Sequence, residues 1–229
     1  MSRSFTLVDS LALGDLHVFL GRALRVEDGS VRLIAGSGVL AVYVAVLHPI
    51  GLLDESPTVL GLRTFALEET HSAAPAVFDV VVPVRSLLMR VEGLLEAPAV
   101  GDPIAVRLPL EVNSVSWAAI SPPRGGWHAL DTVDAAVLDA VARAGIEEVA
   151  AAIPMGTGEQ IVHRVRSEIW GRPLTGFDHI PGGAAFAAVS LGFLGESDSV
   201  AVYESGPWTR LTTKRGHVLV KRRAWTMAR

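Results

Sequence analysis

Apolar residues recur along this chain with two different periods, and the period changes near its middle. Between residues 15 and 25, Leu16, Phe19, Leu20, Ala23 and Leu24 fall on one face of a 3.6-residue repeat, which predicts an amphipathic helix. The period then drops to two. Residues 30–35 and 39–47 are β-branched runs separated by Gly36-Ser37-Gly38, the pattern of a hairpin with a short glycine-rich loop, and Pro49 ends the second run. Residues 58–67 and 76–82 read as further strands joined through a polar stretch at 68–72. Pro83 occupies a favoured helix start, and Val84, Leu87, Leu88, Val91 and Leu95 follow at helical spacing. Alternation resumes at 104–112 through Val106, Leu108, Leu110 and Val112. The first half therefore predicts an α+β layer, with helices covering one face of a mainly antiparallel sheet.

Past residue 127 the pattern turns helical. Asp131 or Thr132 is placed to cap a helix carrying Val133, Ala136, Val137, Ala140 and Val141 on one face, with Gly145 as its stop. A short helix at 146–153 ends at Pro154, a third opens after Gly156-Thr157-Gly158 and runs over 159–170, and an Ala-rich fourth spans 183–194. Strands at 199–203, 208–212 and 217–221 close the chain. The expected organisation is an α+β subdomain over 1–120 and a helical subdomain over 121–229 that ends in a basic β-hairpin. Helix, turn, strand, turn and strand occur in the same order at 15–47 and 183–212, and both contain a Val-Ala-Val-Tyr or Ala-Val-Tyr-Val string. That order is compatible with a duplication.

Composition narrows the chemistry. The 229 residues are half hydrophobic, enough for a substantial core. No cysteine is present, which removes disulfides, thiolate metal sites and cysteine nucleophiles and fits a reducing cytoplasm. Asp9 and Asp15 interrupt the first apolar stretch, so no secretory leader is expected, and the longest apolar run, 39–47, is too short to span a membrane. The net charge of −4 is unevenly spread: residues 1–120 carry 8 Arg against 13 acids, residues 121–205 carry 5 Arg against 11 acids, and residues 206–229 carry 7 basic residues and no acid. The C-terminal end is a cationic patch on an acidic protein.

Three features could carry function. The first is the junction at 117–127, WAAISPPRGGW, which presents Trp117, Arg124, Gly125, Gly126 and Trp127 around a stiff Pro-Pro pair. Arg124 between aromatic rings could bind an anion or stack on a base, and the plainer alternative is a rigid connector whose tryptophans are buried on either side. The second is the helix at 159–170, where Glu159, His163, Arg166 and Trp170 recur on one face; Glu159 and His163 could pair, or hold a metal with Asp178 or His179, but a surface ionic network is the simpler reading, and no metal or cofactor is assigned. The third is Arg210, Lys214, Arg215, Lys221, Arg222 and Arg223, which could be the wing of a winged helix-turn-helix on nucleic acid. That geometry fits loosely, because Pro154 sits where the tight turn needs Gly and Glu159 and Glu168 oppose phosphates.

Phosphate-loop, nucleophile-elbow and zinc-protease signatures are absent. The strings SPPRGGW, VLAVYV, TVLGLRT, EQIVHRVRSEIWGRP and WTRLTTKRGHVLVKRR together resemble a family of conserved proteins of high-GC Gram-positive bacteria with no known activity. The resemblance implies no substrate, cofactor or catalytic residue. The expectation is a cytoplasmic, non-catalytic binding protein with a protein partner or a second copy of itself and no membrane. The alternatives are a nucleic-acid-binding regulator and a small-molecule enzyme built on His163 and Arg166.

Overall fold

The computed structural model describes residues 3–51, 54–68, 76–96, 102–113, 115–154, 156–195 and 199–222. The chain forms two compact units, one from Met1–Val44 and Leu62–Ala119, the other from Ala45–Gly61 and Ile120–Arg229. The architecture is α+β, with helices and a mainly antiparallel sheet, as the periodicity predicts.

The first unit begins with β1 (Ser4–Leu7), a strand too short for its alternation to register in the sequence. In α1 (Ser10–Val26) the Asp9 carboxylate caps the first turn by accepting from the Ala12 amide at 2.8 Å. Leu13, Leu16, Phe19, Leu20 and Ala23 are its buried face. β2 (Ser30–Gly36) and β3 (Val39–Leu47) pair antiparallel through a two-residue turn in which Ser37 and Gly38 both have positive φ, the primed geometry that matches strand twist. After β4 (Thr58–Ala66), β5 (Phe78–Pro83) returns to pair antiparallel with β2. Pro83 then caps α2 (Val84–Leu95), which packs on α1, and β6 (Ile104–Arg107) pairs with β1. The strand expected over 104–112 is thus shorter, and Val112 instead donates to the Val81 carbonyl of β5 at 2.8 Å.

In the second unit, β7 (His128–Asp134) occupies residues expected to precede or cap a helix. The local caps Asp131 and Thr132 are overridden by antiparallel pairing with a strand some 70 residues later in the chain. Directly after it, α3 (Ala135–Ala152) runs unbroken for 18 residues through Gly145, so the two short helices expected here are one. Gly145 serves close approach: a Cβ there would lie 2.3 Å from the Trp170 ring. Trp170 belongs to α4 (Glu159–Gly171), and it stacks on Phe186 at 4.5 Å between centroids. A small hairpin, β8 (Pro173–Leu174) and β9 (Phe177–Pro181), leads into α5 (Gly182–Ser190), where a Cβ at Gly183 would lie 3.1 Å from the Trp170 carbonyl oxygen. The small residues of α3 and α5 are therefore seats for one tryptophan. β10 (Ser199–Ser205), β11 (Trp208–Thr212) and β12 (His217–Lys221) complete the unit, in the order β7-β10-β11-β12, all antiparallel.

Both units follow one plan. In each, a helix leads into three successive strands (α1 into β2, β3 and β4; α5 into β10, β11 and β12), and a separate strand-helix pair (β5-α2; β7-α3) lays its strand against the first of the three and its helix against the first helix. The repeat in the sequence pattern corresponds to this shared plan.

Candidate functional site

The junction residues divide between the units. Trp117 is buried in a short 3-10 turn, Ser116–Ala119, at the end of the first unit. Arg124 and Gly125 are exposed, and Gly126 turns the chain with φ +73°. Trp127 is half-buried, and its indole N–H donates to the Pro123 carbonyl at 3.1 Å, which ties the Pro-Pro segment into a closed loop.

What Trp127 meets is Arg210. The guanidinium carbon lies 4.5 Å from the Trp127 ring and 4.6 Å from the ring of Tyr203, so the cation is held between two aromatic residues. Register explains the second contact, because Tyr203 of β10 stands directly opposite Arg210 of β11. Burial pushes the Arg210 guanidinium below its ordinary value, offset only in part by Tyr203. Its Nε is buried and has no hydrogen-bond partner among the described residues. Beside it, burial and then the Arg210 charge push the His217 imidazole below the usual histidine range, while His217 Nδ1 lies 3.1 Å from the Thr212 hydroxyl. The sequence places Trp127 and Arg210 in two separate features, and 82 residues of intervening chain hide the fact that they form one.

The remaining basic residues spread along the β11–β12 hairpin. Lys214 and Arg215 are exposed at its turn, where Arg215 donates to the Leu194 carbonyl at 3.0 Å. Lys221 and Arg222 lie at its other end, and Arg222 donates to the Gly206 carbonyl at 3.1 Å and approaches Glu204 at 3.6 Å. Arg223 lies outside the described residues. The hairpin belongs to a four-stranded antiparallel sheet, and the helix before it, α5, is Ala-rich and largely buried, so the wing of a helix-turn-helix is not what these residues build.

His163 belongs to another part of the second unit, a cavity of about 830 Å³ lined by Asp54, Ser56, Gln160, Arg164, Ser167 and neighbouring residues. Its Nδ1 faces both Asp54 at 3.7 Å and the Ser167 hydroxyl at 3.4 Å, and its Nε2 lies 3.4 Å from the His48 carbonyl oxygen. A hydroxyl-activating relay needs the hydroxyl and the carboxylate on opposite ring nitrogens of the histidine base. Here serine and aspartate share one, so the trio does not form a relay. Burial would raise the Asp54 carboxyl, but hydrogen bonds from the Ser56 hydroxyl and from the Ile50 and Ser56 amides, with His163 nearby, hold it below its ordinary value. Asp54 thus ties the Ile50 and Ser56 backbone together. Glu159 is exposed, and Arg166, half-buried, is not among the cavity-lining residues, nor is Arg124. Among the described residues no group of three or more His, Asp or Glu side chains could hold a metal.

Family models match the two parts of the chain separately. Residues 1–112 match a domain of unknown function, DUF8010, and residues 122–225 match a second, DUF8185. The stretch between the two matches, 113–121, holds the first part of the junction with Trp117, and the second match begins at Pro122. No curated protein matches the chain. In solved structures the likeness is to DNA polymerase sliding clamps. The clamp of Caulobacter crescentus is 13% identical with a TM-score of 0.51, over 99% of this chain and 67% of that one. The clamp of Bacillus subtilis is 10% identical with a TM-score of 0.50, over 100% of this chain and 67% of that one. At such identity the similarity is one of fold, and this chain spans about two-thirds of the length of either clamp.

Proposed function

We propose that this protein is a non-catalytic, cytoplasmic binding protein that works through protein contacts, the most direct being with a second copy of itself. The observation that carries this reading is strand β7. It is the terminal strand of its sheet, paired with β10 on one side, and from His128 to Thr132 every residue is exposed. Terminal strands leave a row of unpaired backbone donors and acceptors that another chain can complete. β7 carries neither proline nor lysine to block this, and Leu130 is 37% exposed. The helix that follows continues with exposed Ala136, Val137, Ala140 and Ala144 on one face, interspersed with Arg143 and Glu147. A strand edge beside a partly apolar helix face suits an interface that joins two sheets.

A fold shared with DNA polymerase sliding clamps supports a binding role, and so does the absence of relay geometry at His163. No described helix is long and apolar enough to cross a membrane. Sedimentation velocity over a range of protein concentrations tests the proposal. The wild-type chain shifts to a dimer or larger assembly as concentration rises, and Leu130→Lys or Thr132→Pro returns it to monomer with its circular dichroism unchanged. A wild-type chain that stays monomeric up to about millimolar concentration, where interactions weaker than about 4 kcal/mol fade, rejects self-association.

A further inference from the structure

The geometry points to a binding surface for single-stranded nucleic acid on the outer face of β10, β11 and β12, centred on Arg210. The alternation of these strands puts Val200, Val202, Leu211, Val218 and Val220 into the core. Tyr203, Arg210 and Lys221 stand half-buried on the opposite face with His217, over the buried side chains of Trp208 and Leu219, and Trp127 is brought over Arg210 by the junction loop. No acidic residue occupies an outward position of these three strands. Their one carboxylate, Glu204, has the inward parity and lies near Arg222. In a chain whose net charge is −4, an acid-free face of cations and aromatic rings is a concentrated exception.

Arg210 shows what this face lacks. A guanidinium drawn out of water is normally compensated by a carboxylate. Here the compensation is two ring faces, worth about 1–2 kcal/mol for a desolvated cation, while Nε stays unbonded and the charge is destabilised by burial. An incoming phosphate would supply the missing counter-charge. The form of the surface selects the ligand class. The cations do not converge on one point: Lys214 and Arg215 lie at one end of the hairpin, Arg210 in its middle and Lys221 at the other, while Arg222 has the inward parity of Glu204. Five strand residues span about 13–17 Å, so a line of phosphates fits where a single small anion would leave most of the charge unused. Half-exposed Trp127 and Tyr203 offer ring edges and faces on which bases stack irrespective of sequence. The strand would follow the hairpin, its phosphates on the arginines and lysines.

This surface is separate from the β7 edge, so it is testable apart from self-association. Fluorescence anisotropy of labelled oligo(dT) and oligo(rU) of about 15 nucleotides, within the site sizes such surfaces cover, is measured with the full chain. Expected is binding that weakens with salt at about −0.7 in log K per phosphate engaged, with quenching of tryptophan emission. Arg210→Ala weakens it about tenfold or more, and the pair Lys214→Glu and Lys221→Glu, at an exposed and a half-buried lysine outside the core, weakens it further with the circular dichroism of wild type. No binding at about 50 mM salt overturns the proposal. So does binding that both variants leave within twofold of wild type, or displacement of the oligonucleotide by inorganic pyrophosphate at equal phosphate concentration, which would make the face a small-anion site.

Discussion

Each unit has one arginine directly opposite a tyrosine across a strand pair, and the two arginines are treated in opposite ways. Arg32 of β2 faces Tyr43 of β3, as Arg210 of β11 faces Tyr203 of β10. In the first unit Asp79, diagonal to Arg32 on the neighbouring strand, accepts two hydrogen bonds from it at 2.8 and 2.6 Å, and the pair raises the Arg32 value. In the second unit none of the positions diagonal to Arg210, Ala201 and Ser205 on β10 and His217 and Lys221 on β12, is a carboxylate; a tryptophan from the junction loop packs on the guanidinium instead, and burial lowers the value. The same cross-strand arginine–tyrosine pairing thus goes with a closed ion pair in one unit and an uncompensated cation in the other. The difference lies in a few outward residues, which the core does not constrain and which are therefore free to serve recognition.

The comparison is broken most strongly from the closed side. Asp79→Ala leaves a guanidinium that is only 13% exposed without its bidentate partner, and the expected loss is about 2 kcal/mol of unfolding free energy, read from the midpoint of urea denaturation at unchanged slope. Removal of one ring from the open side is next. Trp127→Ala should cost about 1–2 kcal/mol in the same measurement, from lost packing and half the cation sandwich. A smaller effect of opposite sign comes from converting the second unit to the logic of the first. Ser205→Asp places a carboxylate diagonal to Arg210 and is expected to raise stability by about 0.5–1 kcal/mol while abolishing oligonucleotide binding; a variant that binds as well as wild type would falsify the role given to the free cation.

The smallest effect is the pH dependence of His217. Its folded value lies below its unfolded one, so the folded state binds fewer protons. Stability from this site is full above the ordinary histidine value of about 6.5 and declines as pH falls below it toward the lowered folded value. His217→Gln should flatten that part of a stability-versus-pH curve. Arg210→Gln, which removes one of the two causes of the lowering, should make the decline smaller and end it at higher pH.

Much of the fold was legible because it rests on local regularities. The buried faces of α1 and α2, the Gly-rich hairpin of β2 and β3, and the last three strands follow from period, turn chemistry and proline placement. The failures share one cause. Gly145 looks like a helix stop until Trp170, 25 positions away, needs the space of its missing side chain, and Asp131 and Thr132 look like caps until β10 arrives to pair with them. At the candidate site His163 was legible as a polar face of a helix, but its partners Asp54 and the His48 carbonyl lie far away in the sequence, and the spacing to Glu159 suggested another one.

The sequence by itself determined the α+β class, the order of most elements, the cationic C-terminal end and the unusual junction, since each depends on residues within one or two turns of one another. Only the tertiary structure decided that Trp127, Tyr203 and Arg210 form a single cluster, that the arginine opposite a tyrosine in the first unit is neutralised, and that β7 ends its sheet. Those outcomes depend on strand register and on which side chains a closed core leaves outside, and both are set by long-range packing.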